Sequence, residues 1–125
     1  MWGVAVDGAH IYWGKAGPGG RGTTIGRANL DGTGVNNSFI NGAAGPCGVA
    51  VDGAHIYWTN LDVGQRGTTL GRANLDGTSV NQSFISGVHS PCGVAVDSSH
   101  VYWGSWTLGQ PLTTVGRQPG RHECQ

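Results

Sequence analysis

The chain has 125 residues, 24 of them glycine and only 11% charged, with seven basic and seven acidic side chains that cancel. That length suits one domain, and the charge balance excludes strong electrostatic attraction to nucleic acid or to an anionic membrane. Apolar runs of only a few residues leave no membrane span and no signal-peptide core, and the glycines fall between those runs as turn punctuation.

The first predicted element is GVAVD at residues 3–7, an apolar run with small residues. DGAH follows as a tight connection, in which the Asp oxygen bonds nearby backbone and Gly accepts unusual φ at low cost. HIYW at 10–13 is a second strand, rich in β-branched and aromatic residues. A variable loop leads to TTIGRANL at 23–30, which places Ile25, Arg27 and Asn29 on one face and Gly26, Ala28 and Leu30 on the other. LDGT then turns the chain into a fourth strand, NSFI. No segment carries a 3.6-residue period, so no helix is expected.

The same series returns with a period of 45 residues. GVAVDGAHIYW occurs at 3–13 and again at 48–58, and GVAVDSSHVYW stands at 93–103. The first two copies differ at 13 of 45 positions. Four strands per repeat of this length point to an all-β chain built from four-stranded antiparallel β-propeller blades. The expected division is blade one at 1–45, blade two at 46–90 and blade three at 91–125, with the last outer strand truncated. Pro119-Gly120 makes either a short hairpin turn or the start of a frayed tail.

IYW, followed by a strand ending in ANLDGT, resembles the YWTD repeat of lipoprotein-receptor class B propellers and, more loosely, NHL-type repeats. The signature reads YWGK, YWTN and YWGS here, so its last Asp is absent each time. The resemblance implies a six-bladed ring and a secreted or cell-surface bacterial protein. Three blades make half of such a ring, whose end faces would leave Val, Tyr and Trp uncovered. The expectation is a homodimer of two half-rings; the alternative is a fragment of a longer chain.

Function is less legible. Six of the 13 differences lie between strands two and three, and four lie between blades. In an up-and-down blade these two connections share one face of the disc. Lys15, Arg21, Asp62, Arg66, His89 and Trp106 are the ligand candidates there, with Asn60 nearby; unconstrained drift of the loops is the competing reading. Trp106 is the aromatic available for stacking on a small molecule or a glycan.

Asp7, Asp52 and Asp97 each precede His10, His55 and His100 by three residues. Acid–base pairs have this composition, but recurrence in every blade favours turn stabilisation. Trp13, Trp58 and Trp103 are expected in the core between blades, and Arg27, Arg72 and Arg117 are expected to pair with an Asp of the neighbouring blade. Cys47 and Cys92 are equivalent positions, which seldom come within the roughly 7 Å a disulfide needs, so they are read as free thiols. Cys124 is the third cysteine.

No metal set and no cofactor are expected. Related six-bladed enzymes carry metal-binding carboxylates and amides at the channel, where this chain has Pro-Cys-Gly. The leading reading is a non-catalytic scaffold or binding module. A lectin-like module and a propeller-type lyase or lactonase are the alternatives.

Overall fold

The computed structural model describes residues 3–15, 22–61 and 67–105, together with the backbone of 114–119. Its strands are β1 (Val4–Val6), β2 (His10–Lys15), β3 (Thr24–Asn29), β4 (Asn36–Asn41), β5 (Pro46–Val51), β6 (His55–Asn60), β7 (Thr69–Asn74), β8 (Asn81–Ser86), β9 (Pro91–Val96), β10 (His100–Ser105) and β11 (Thr114–Pro119). They form three antiparallel sheets in sequence order: β1-β2-β3-β4, β5-β6-β7-β8 and β9-β10-β11. All described strands are all-β, as the period-2 patterning requires.

Register repeats with the sequence. Tyr12 pairs with Ala5 and Arg27, and Tyr57 pairs with Ala50 and Arg72. Irregularities recur at matching places, between Ile25 and Arg27 on β3 and between Leu70 and Arg72 on β7. At LDGT and its copy, Gly32 and Gly77 each adopt φ of 86°, a region open to glycine.

Because side chains alternate across a strand, every sheet has two apolar faces, one marked by Tyr and one by Trp. Tyr12, Ile25 and Ile40 of the first sheet pack with Val49, Ile56 and Trp58 of the second. Tyr57, Leu70 and Ile85 of the second pack with Val101 and Trp103 of the third. Each seam therefore joins the Tyr face of one blade to the Trp face of the next. Trp58 lies flat on Gly71, and a Cβ there would collide with its indole.

The first strands of successive blades converge: β1 lies against β5, and β5 against β9. This overturns the expectation of free thiols. Cys47 and Cys92 form a disulfide, with Cα atoms 5.1 Å apart. A period of 45 residues separates equivalent positions along the chain, but inner strands crowd at the hub while outer strands splay apart.

Candidate functional site

The connections between strands two and three and those between blades lie together. The Ala43 amide donates to Thr23 O at 3.0 Å and the Gly45 amide to Gly22 O at 2.8 Å. One period later, Val88 and Ser90 donate to Thr68 O and Gly67 O. Leu61 N also donates to Gly45 O at 3.2 Å, extending the β5–β6 ladder at this end of the second sheet. On the opposite side, Leu75 N donates to Ala54 O at 3.3 Å, bringing the two constant turns together. Ten of the 13 differences between the first two copies thus fall at connections on one side, while Gly34, which is Ser79 in the second copy, lies in a turn on the other.

Lys15 closes β2 on the variable side and is exposed, as is His89 in the connection after β8. Asn60 is buried and fully engaged. Its Oδ1 accepts the Ala44 amide at 2.9 Å, and its Nδ2 donates to Thr69 Oγ1 and to Gln82 O, each at 3.1 Å. Gln82 in turn accepts the Trp58 indole N–H at 3.0 Å and donates to Asn41 O of the first blade at 3.1 Å. This network locks blade two to blade one; it is structural chemistry at the edge of the variable face. Arg21, Asp62, Arg66 and Trp106 lie outside the described residues.

On the constant side, the repeated Asp acts on the backbone and on a residue the sequence reading passed over. Asp7 Oδ1 accepts the amides of Ala9 and His10, both at 2.8 Å, while Oδ2 accepts the Tyr12 hydroxyl at 2.8 Å. Asp52 does the same for Ala54, His55 and Tyr57, and Asp97 for Ser99, His100 and Tyr102. Spacing held the signal: a Tyr stands five residues after the Asp in all three copies. The His rings of His10, His55 and His100 stand beside those tyrosines, with centroids 6.0, 6.1 and 5.9 Å away.

Burial pushes the Asp52 carboxyl up, but the Ala54 amide, the Tyr57 hydroxyl and the His55 amide outweigh it and hold the group below its usual value. Burial and then the Asp52 bond push Tyr57 up to about 12, and Tyr12 rises likewise beside Asp7. These phenols are therefore fixed donors at neutral pH, unsuited to proton transfer.

Arg27 acts on the neighbouring blade, where its charge adds to the Thr78 hydroxyl and amide in holding the Asp76 carboxyl below its usual value. Arg27 lies over the Phe39 ring, 4.2 Å from its centroid, and reaches the Leu75 carbonyl of the next blade at 3.5 Å. Arg72 covers Phe84 at 4.0 Å, and its buried Nη1 meets no acceptor among the described residues. The side chain of Arg117 lies outside them. Trp58 is fully buried and Trp103 nearly so, whereas Trp13 is only half-buried. No group of three or more His, Cys, Asp or Glu side chains with metal-holding geometry occurs among the described residues.

Neither the protein-family models nor the curated proteins give a match to this chain. Among solved structures, it is similar to a chain in a crystal structure of a nidogen/laminin complex, with a TM-score of 0.74 and 26% identity over 94% of its residues. The fold is a β-propeller fold. The propeller blades of this chain span 43% of the length of that solved chain.

Proposed function

We propose that the chain is a YWTD-type, non-catalytic propeller module that binds a partner through its variable-loop face, and that two copies close into one six-bladed ring. The observation that carries the ring is the pair of unmatched ends. Blade one presents a Trp face with Val4 and Val6 63% and 60% exposed, although Val49, the equivalent of Val4, is 7% exposed inside a seam and Val51, the equivalent of Val6, is half-buried there. A soluble module seldom leaves such a surface open.

The binding role is supported by the chemistry and by the likeness. The Asp–Tyr bonds in the turns and the Arg27 bond across the seam support a structural role for these recurring groups. The solved neighbour belongs to a protein–protein complex of nidogen and laminin; a protein partner at the face carrying Lys15 and His89 is the corresponding proposal here. Light scattering tests the assembly. A single species of about 26 kDa, twice the chain mass of 12.9 kDa, is expected, and a compact monomer at every concentration would overturn the ring.

A further inference from the structure

We propose that the Trp face of blade one docks on the Tyr face of blade three in a second copy of the chain, twice per assembly, so that the seams between copies repeat the seams within each copy. This rests on the ring reading above and adds which surfaces meet and in which direction.

The internal seams supply the template. Both join a Tyr face to a Trp face, with Tyr12 and Trp58 in one cluster and Tyr57 and Trp103 in the other. Like faces never meet. The two ends of the arc are the two halves of one further seam, since blade one offers Val4, Val6, Trp13 and Leu30 while blade three offers Tyr102. Leu30 is 50% exposed, whereas the aligned Leu75 packs against the first seam. The open Trp face of blade one carries the same residues as the Trp face buried in the first seam, so a Tyr face of the same kind is the occupant that fits it.

The hub glycines give a second, independent sign. A Cβ on Gly3 would stand 2.6 Å from Cys47 O of the next blade, and one on Gly48 would collide with Cys92 O. Glycine is required at both places because the neighbouring inner strand passes so close. Gly93 occupies the same repeat position, yet a Cβ there would meet nothing within 4 Å. Nothing within the described chain demands a glycine at this point. Blade one of a second copy, seated as blade three sits on blade two, would bring its strand against Gly93 and create that demand.

Seams of this kind are head to tail, so they close into a ring if each arc covers half a turn and otherwise grow into filaments. The full chain with its disulfide intact is measured by light scattering across a wide concentration range, together with Val6→Arg and Gly93→Ala. Val35→Arg serves as the control, since Val35 is also exposed but lies in the turn between β3 and β4. Near-ultraviolet circular dichroism verifies that each variant is folded. The wild type and Val35→Arg are expected to be dimers. Val6→Arg and Gly93→Ala are each expected to raise the dimer dissociation constant about tenfold or more, while the Gly93→Ala monomer keeps the wild-type unfolding midpoint. A monomeric wild type refutes the ring itself. A dimeric wild type whose Val6→Arg and Gly93→Ala variants dimerise equally well refutes this docking alone, and an open-ended series of masses refutes closure.

Discussion

Tyr57→Phe removes a single oxygen from the middle of the structure, and its effect follows from three observations. The hydroxyl donates to Asp52 Oδ2 at 2.8 Å, the residue is 3% exposed, and its ionisation is pushed up to about 12 by burial and then by the Asp52 bond. Hydrogen bonds to a charged acceptor contribute about 1.5–3 kcal/mol. That range puts the cost of Tyr57→Phe near about 2 kcal/mol at pH 7.

The pH dependence has a definite sign. A tyrosine whose folded value lies above its unfolded value stabilises the fold fully below pH about 10, and that contribution is lost as pH rises through about 12. Urea unfolding followed by tryptophan fluorescence should therefore show the largest gap between wild type and Tyr57→Phe near neutrality and a narrowing gap above pH about 10. Absorbance titration of the phenols should show two of the three tyrosines ionising near 12. An unchanged urea midpoint at pH 7, or a titration in which all three phenols ionise near 10, would refute the claim that the Asp–Tyr bond braces each hairpin.

Acid should act on the other half of the same pair. The carboxyls of Asp7, Asp31, Asp52, Asp76 and Asp97 are all held below 3.8, so their contribution is complete above that value and is lost as pH falls through their lower folded values. Circular dichroism should show an acid transition below about pH 4 that begins at higher pH in Asp52→Asn. Reducing Cys47–Cys92 opens a 45-residue closure, which the chain-entropy relation values at about 4 kcal/mol. Thermal melts with and without a reductant should differ accordingly, and equal melts would mean that hub packing alone sets the blade order. Gly71→Ala drives a methyl into the Trp58 indole and should cost about 1–3 kcal/mol. Gly53→Ala, with nothing near its added carbon, should stay within about 0.5 kcal/mol of wild type.

Candidate site residues were only partly readable. The concentration of variation on one side could be deduced from the up-and-down order of four strands, and the carbonyl–amide bonds between Thr23 and Ala43 and between Thr68 and Val88 put those connections together. What Asn60 does there could not be deduced. Lys15 stands at its place in blade one, and only the approach of Ala44 and Gln82 converts the amide into a seam bond. Similarly, Asp7 and His10 look like a chemical pair by spacing, but the hairpin folds Tyr12 back so that its hydroxyl reaches the carboxylate first.

The sequence by itself determined the strands, the 45-residue period and the blade. Alternation and turn chemistry are local, and each copy carries them whole. Only the tertiary structure decided what depends on a neighbour. Trp13 and Trp58 stand in identical eleven-residue stretches, yet one is half-buried and the other fully enclosed, because only Trp58 has a preceding blade against it. Arg27 Nη1 finds a carbonyl across the seam, while Arg72 Nη1 finds no acceptor among the described residues. Cys47 and Cys92 lie a full repeat apart in the chain and are bonded at the hub. Repetition along a chain fixes what each unit is, but burial, pairing and bonding are properties of the space between units, and that space differs at the ends of an arc.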